Sequence, residues 1–246
     1  MLKTPARLSR QRGVSLIELM VGLVVSLLII AAAAATYLTT ARSGRDAINS
    51  AKLNVELRSA MDLMVDEIRR AGYSAVGGGT NPFNSLVTAT YTDLTVTGGT
   101  CVEFAYDNDG DGFVDTDEFF GFRVVNGVMQ MRDRTAGGGV IAACANGTWL
   151  PITDGSVVTI GQRGSTPYFV LSYQCLNSRT DATNAGRCVA GGATYDAAVT
   201  AGTKVDLIET RTVAINLAGQ LVSDAVMRME LGQDVLVRNH RIVTVP

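Results

Sequence analysis

The sequence has few of the residues on which enzymes and nucleic-acid-binding proteins usually rely. It contains one histidine, His240, so a Ser-His-Asp or Cys-His catalytic site would have a single candidate base. It also has no P-loop and no dinucleotide-binding glycine motif. Beyond Lys3, the only lysines are Lys52 and Lys204. Phosphate binding depends on clustered lysine and arginine, so we predict neither catalysis nor nucleic-acid binding.

Proline is absent between Pro5 and Pro82, and one part of this interval, residues 14–38, has almost no charge. From Val14 to Leu38 the only charged side chain is Glu18, and this run is long enough to cross a bilayer as a helix. A cleaved secretory signal would have a shorter apolar core. An ordinary membrane anchor would not explain Glu18, because carboxylates inside membranes are costly. We predict a transmembrane helix over 14–38.

Charge is distributed unevenly along the chain. The first thirteen residues contain four basic side chains and no acidic one, which gives about +4 at pH 7. The whole chain carries −2, so the remainder carries roughly −6. A basic flank before an apolar run keeps the N-terminus on the cytoplasmic side of a membrane. The rest of the chain is then exported.

The helix is predicted to continue from residue 39 to Ala71 as an amphipathic segment. Arg69 and Arg70 would lie in its last turn, where cations suit the helix dipole, and Gly72 would be the C′ residue. Apolar residues recur among charged ones in this segment, which predicts a face packed on a domain. They are Ile48, Ala51, Val55, Met61, Leu63, Met64, Val65 and Ile68.

Residues 73–246 show the pattern of a β-rich head. Asn126-Gly127 between Phe119–Val125 and Val128–Arg132 predicts a hairpin, since both turn residues accept positive φ. Glycine runs at 77–79, 98–99 and 137–139 predict loops. The expected fold class is α+β, with the long helix packed on an antiparallel sheet. Other predicted strands are Cys101–Tyr106, Val157–Ile160, Tyr168–Cys175, Lys204–Asn216 and Val235–Val245, with a loop between Cys175 and Lys204.

Residues 12–21 closely resemble the class III signal of type IV pilins and pseudopilins. The resemblance implies that residues 1–13 are a leader, which prepilin peptidase removes between Gly13 and Val14. Val14 stands where the family usually has phenylalanine. The resemblance therefore implies cleavage more strongly than it implies methylation of the new amine. It also makes Glu18 the fifth mature residue, which would pair with the α-amine of a neighbouring subunit. The alternative is that Ser15 and Glu18 form only a capping box.

The end of the predicted helix and the first part of the head resemble PilW-type minor pilins. The resemblance rests on residues 66–73 and on the order Cys101–Tyr106, acidic loop, Phe119–Arg132. It implies a minor pilin that joins other minor pilins, the major pilin and the inner-membrane assembly platform. The head would lie in the periplasm, or at the pilus tip on the cell surface. The alternatives are a type II secretion pseudopilin of the J class and a competence-type pilin that binds DNA or another ligand.

Four cysteines, Cys101, Cys144, Cys175 and Cys188, all lie in the predicted head. They form no C-x-x-C or Cys/His pair, so zinc is not expected, and export to an oxidising compartment makes disulfide bonds the default. Three pairings are open. A resemblance to the disulfide-bounded region of pilins favours Cys175 with Cys188, which leaves Cys101 with Cys144.

Residues 107–118 match the twelve-residue calcium loop D-x-[DN]-x-[DN]-G-x5-E in full. Hard oxygen ligands at this spacing suit calcium, and Gly112 permits the sharp turn. Because strands are predicted on both sides, we expect a structural site of low affinity and not a switch. An ordinary solvated turn is the alternative. The predicted ligands are the carboxylates of Asp107, Asp109, Asp111, Asp115 and Glu118 and the backbone carbonyl of Phe113.

Overall fold

The computed structural model of the protein describes residues 13–76, 81–84, 92–134, 144, 147–177, 183–185, 188 and 205–245. By contacts, the chain divides into two units, Met1–Asn49 and Ser50–Pro246. The leader up to residue 12, the glycine runs at 77–79 and 137–139, and Lys204 lie outside the described residues. The predicted boundaries after residues 13, 38 and 72 remain predictions.

Helix α1 spans Leu16–Arg70, in close agreement with the predicted helix. Gly72 has a φ of +72°, the left-handed conformation expected of a C′ residue. The last carbonyls of α1 are capped from the far end of the chain. The side-chain amide of Asn239 donates to the carbonyls of Arg70 and Ala71 at 3.1 and 3.2 Å. The end of the helix is thus fixed by the head itself.

The buried stripe of α1 differs in part from the prediction. Four of the predicted residues are exposed: Ala51, and Ile48, Val55 and Leu63, which are 58, 66 and 36% exposed. A stripe with the helical repeat of 3.6 residues that passes through Met61 and Met64 continues toward the N-terminus through Leu57 and Leu53. The predicted buried face was therefore wrong in that part of the helix. The buried residues of α1 are Leu53, Leu57, Ala60, Met61, Met64, Val65 and Ile68.

The first half of the head forms a five-stranded antiparallel sheet, sheet A, among the described residues. Its strands follow chain order, each paired with the next. The predicted hairpin is confirmed with its exact strand ends, and Asn126 and Gly127 have φ values of +51° and +76°. The strands are β1 Thr95–Thr97, β2 Cys101–Ala105, β3 Phe119–Val125, β4 Val128–Arg132 and β5 Trp149–Pro151.

The second half forms another antiparallel sheet, sheet B, in which one long strand carries four partners. The strands are β6 Val158–Gly161, β7 Phe169–Asn177, β8 Thr183–Ala185, β9 Val205–Leu221, β10 Arg228–Leu236 and β11 Arg241–Val245. β11 and β10 pair along one edge of β9, and β7 and β6 pair along the other. β8 adds to β7.

The α+β prediction is confirmed, although the head has two sheets where we expected one. The predicted strand Val235–Val245 is wrong in extent, because residues 237–240 turn between β10 and β11. His240 lies exposed in that turn. The expected loop after Cys175 contains the short strand β8. β9 runs five residues beyond the predicted Asn216, since it must also pair with β6.

The core lies where the second half of α1 meets both sheets. Sheet A contributes aromatic side chains, among them Phe104 and Phe120, whose ring centroids lie 5.9 Å apart. Sheet B contributes Val213, Ile215 and Leu217, all fully buried. One helical stripe therefore covers the apolar faces of two sheets, and this burial supplies the main stabilising term.

Two disulfide bonds join the four cysteines. Cys101 pairs with Cys144 and Cys175 with Cys188, with Cα atoms 6.4 and 5.2 Å apart. This is the pairing that the resemblance favours. The first bond brings Cys144 over the outer face of sheet A, where its N–H donates to Glu103 at 2.9 Å. Each bond closes a loop of the unfolded chain and is worth roughly 2–4 kcal/mol.

A charged pair is buried beside Cys144. Arg132 Nη1 lies 3.0 Å from Glu103 Oε1, and the two side chains are 3 and 1% exposed. Burial raises the pKa of Glu103 and lowers that of Arg132, while their mutual attraction opposes both shifts. Strand β2 is therefore covered on both faces, by the core on one side and by this polar cluster on the other.

We predict that Leu57→Ala destabilises the protein by about 2–5 kcal/mol, because it empties a fully buried site. The matched control Val55→Ala, on the exposed side of the same helix, should change stability by no more than about 0.5 kcal/mol. Urea unfolding of the full chain in detergent, followed by the fluorescence of Trp149 in β5, measures both. Equal effects would contradict the observed stripe.

Gly219 gives a second prediction about the same contact. A Cβ atom on Gly219 would lie 2.6 Å from Leu57 Cδ1, so Gly219→Ala should cost about 1–3 kcal/mol. Gly161→Ala is the control, since its nearest neighbour would be 3.9 Å away. The double variant Leu57→Ala with Gly219→Ala has no clash. Its loss of stability should therefore be smaller than the sum of the losses of the two single variants. Additive losses would contradict the packing of Leu57 on Gly219.

Candidate functional site

The N-terminal candidate residues lie at the start of α1. Gly13 and Val14 precede the helix, and a Cβ atom on Gly13 would meet nothing within 4 Å. The carbonyl of Ser15 accepts a hydrogen bond from the N–H of Leu19 at 3.1 Å. This places Ser15 at the N-cap and Glu18 at the third helical position. Glu18 thus lies among the unpaired N–H groups of the first turn, where negative charge is favoured.

The helix beyond Glu18 has an apolar surface that the described protein does not cover. Its most apolar window of 18 residues has a mean hydropathy of 2.7, and none of that window is buried. Leu23, Leu28 and Ile29 are 55, 66 and 64% exposed. By length and composition, α1 can cross a membrane. Together with the signal-like residues before it, this is consistent with a membrane anchor.

The acidic loop connects β2 to β3, so it joins two antiparallel neighbours as the sequence predicts. Gly110 and Gly112 have φ values of +86° and +79°, which side chains rarely tolerate. The first and last carboxylates of the motif, Asp107 and Glu118, are each only 1% exposed. The loop therefore begins and ends on buried carboxylates and exposes its middle.

The structure brings all five predicted carboxylates into two overlapping groups. Oxygens of Asp107, Asp109 and Glu118 lie within 4.8 Å of one another, and so do oxygens of Asp109, Asp111 and Asp115. Asp109 belongs to both groups and links them. These oxygens are the ligand type that calcium prefers. Phe113 donates its N–H to Asp111 Oδ1 at 2.8 Å.

Backbone N–H groups orient the two buried carboxylates. Asp107 accepts from Gly110 at 2.6 Å and from Gly112 at 3.1 Å. Glu118 accepts from Asn108 at 2.7 Å and from Asp115 at 3.0 Å. Each carboxylate oxygen has two lone pairs, so these bonds leave acceptor capacity for a cation. The two buried carboxylates are thus held in fixed orientations at the two ends of the loop.

Burial and neighbouring charge act together on Glu118. Burial raises the pKa of Glu118 above its ordinary value, the two backbone N–H groups lower it, and the negative charges of Asp107 and Asp109 raise it again. Among the described residues, no ion pair offsets the repulsion between these carboxylates. A divalent cation would relieve it.

The acidic loop is attached to the chain that leaves α1, which the sequence did not predict. Asp107 donates its N–H to the carbonyl of Tyr73 at 3.0 Å, and its carboxylate accepts from the N–H of Ala75 at 2.8 Å. Gly112 lies directly against the side chain of Val76. The only sign of this attachment in the sequence was Gly112, the second glycine of the motif. Its close neighbour, Val76, is distant from it in the chain.

Comparisons with known proteins give matches at the family level. Residues 46–237 match the family described as prepilin peptidase-dependent protein B, and residues 8–34 match the prokaryotic N-terminal methylation motif. Comparison with curated proteins gives no match. Among solved structures, the chain is similar to the type IV-like pilin TTHA1219 from Thermus thermophilus. That match has 14% identity and a TM-score of 0.33, and it covers 75% of this chain and 96% of the other.

The first family match spans most of the head and more than half of the chain. The second spans Gly13, Val14, Glu18 and much of the exposed apolar helix. The chain therefore belongs to the prepilin peptidase-dependent protein B family and is a type IV pilin-like protein.

Proposed function

We propose that the protein is a minor type IV pilin of the PilW type, which helps to prime pilus assembly at the inner membrane. The observation that carries the proposal is the exposed apolar start of α1 with Glu18 in its first turn. A carboxylate at that position is costly in a membrane unless it has a partner. Prepilin peptidase would cut between Gly13 and Val14 and create that partner, a free α-amine.

In the proposed assembly, the amine of Val14 on one subunit pairs with Glu18 on its neighbour. Attraction between opposite charges is much stronger in a medium of low dielectric constant than in water. The apolar side chains of α1 would then pack against those of other pilins, and the head would select its neighbours. The partners would be other minor pilins, the major pilin and the assembly platform, with the head in the periplasm or at the pilus tip.

We predict that Glu18→Gln prevents the protein from restoring surface pili to a strain that lacks its gene. The change removes the charge and keeps the shape. A loss of about 1.4 kcal/mol per contact already weakens assembly about tenfold. Glu18→Asp should restore pili in part, and Ser26→Ala, an exposed change in the same helix, should restore them fully. Counting sheared pili measures the effect.

Two controls make this experiment decisive. Immunoblotting checks that each variant accumulates, and mass spectrometry checks cleavage after Gly13. If the deletion strain keeps normal pili, the priming role is wrong. The type II secretion pseudopilin of the J class then becomes the leading function, and export of secreted enzymes is the next assay. Retention on a DNA column that falls with salt would instead favour the competence-type alternative.

We also propose a structural calcium ion in the acidic loop. The proposal is supported by the two overlapping groups of carboxylate oxygens and by the burial of Asp107 and Glu118. The ligands would be the five carboxylates, with the carbonyl of Phe113 as a sixth donor. The ion would hold β2, β3 and the chain after α1 together, because Asp107 is bonded to Tyr73 and Ala75.

We predict that about 10 mM calcium raises the free energy of unfolding by about 1.4–2.7 kcal/mol, for a Kd of about 10⁻³–10⁻⁴ M. Asp109→Asn should abolish this gain, because Asp109 links both oxygen groups. Asp154→Asn is the control: Asp154 is also an exposed turn carboxylate, bonded to Ser156. Unfolding of the full chain in detergent, with and without calcium, measures the gain. No gain in the wild type would refute the site.

A further inference from the structure

The acidic loop carries an aromatic side chain that its own fold does not use. Phe113 is 72% exposed, whereas Val114 beside it packs against a cluster that contains Phe83 and Phe119. A calcium loop requires only the carbonyl of the residue at the position of Phe113. A large exposed aromatic ring is costly in water and is typical of a contact surface.

Other exposed apolar side chains belong to the segment attached to this loop. Val76 is 60% exposed and lies against Gly112, the residue before Phe113, and Tyr73 is 43% exposed. We name this set, with the exposed carboxylates around it, the loop surface. It consists of Tyr73, Val76, Asp109, Asp111, Phe113, Asp115 and Asp117.

A second exposed surface has the opposite charge. It lies at the turn from β10 to β11, where Leu236 and Ile242 are 54 and 67% exposed. Arg238 and His240 between them are exposed, and Arg238 forms no ion pair among the described residues. We name Leu236, Arg238, His240 and Ile242 the turn surface. It offers apolar contact and unpaired positive charge, the complement of the loop surface.

Both surfaces are fixed to the same end of α1. The loop surface is bonded there through Asp107 and Tyr73, and the turn surface through the N–H of Arg238, which donates to the carbonyl of Arg69 at 3.1 Å. Both therefore flank one end of the head. In a two-fold symmetric pair, a contact from one surface to the other is made twice.

We propose that the loop surface of one copy docks on the turn surface of a second copy, so that the heads form a closed dimer through two equivalent contacts. Phe113 and Val76 contact Leu236 and Ile242, and Asp117, the exposed aspartate that is free of the proposed calcium site, faces Arg238. An anionic membrane or a nucleic acid does not fit the loop surface, because both would face its carboxylates.

Sedimentation equilibrium of the full chain in density-matched detergent tests this inference. It is done in EDTA, so the result does not depend on the calcium proposal, and it needs no pili. We expect a dimer whose Kd rises with salt, because exposed charges are screened. Phe113→Ser should raise the Kd about tenfold or more. Val226→Ser, a matched change at a residue 90% exposed on the β9–β10 turn, should leave it within about twofold.

A charge exchange identifies the pairing. Asp117→Arg and Arg238→Asp should each weaken the dimer, and the double variant should restore it, since opposite charges face each other again. Asp117 is not among the proposed calcium ligands. Trp149 fluorescence checks that each variant is folded. A monomeric wild type, a dimer unaffected by Phe113→Ser, or a double variant no better than the single ones would each overturn the proposal.

Discussion

The last turn of α1 leaves backbone carbonyls without partners inside the helix, and much of the head is organised around the groups that satisfy them. Asn239 and Arg238 supply donors from the turn between β10 and β11. Gly72 turns the chain away and donates its N–H to the carbonyl of Ala105 at 2.8 Å. One helix end thereby joins sheet B to sheet A, and the acidic loop follows directly after Ala105.

Burial of charge is the second constraint on the head. Arg211 on β9 is 1% exposed, and its Nη1 lies 2.5 Å from Asp93 Oδ1, while Nη2 donates to the carbonyl of Asn239 at 2.6 Å. Burial lowers the pKa of Arg211, and the charges of Asp93 and Glu209 oppose the shift. Such pairs cost desolvation, so they fix geometry more than they add stability. Here they fix the turn that caps α1.

Local chemistry determined which parts of this fold could be predicted. Asn126-Gly127 specifies its hairpin with two residues, and the apolar run with Glu18 specifies α1. The phase of the buried stripe was missed because Leu53 and Val55 are both apolar, although the helical repeat through Met61 and Met64 leads to Leu57 and Leu53. The structure shows where this stripe packs, with Leu57 against Gly219 of sheet B. The calcium motif located its carboxylates by spacing alone. Their attachment to Tyr73 and Ala75 could not be predicted, since it joins segments that are distant in sequence.

The arrangement around β9 has a consequence for folding during synthesis. β6 and β7 are made before residue 178, yet both pair with a strand that begins at Val205. Until that strand emerges, their edges cannot find the partner they have in the finished sheet, and unpaired edges promote association between chains. Sheet B also depends on contacts between distant residues, which slows folding. A newly made chain therefore leaves the edges of β6 and β7 open until β9 has been synthesised as far as Leu221.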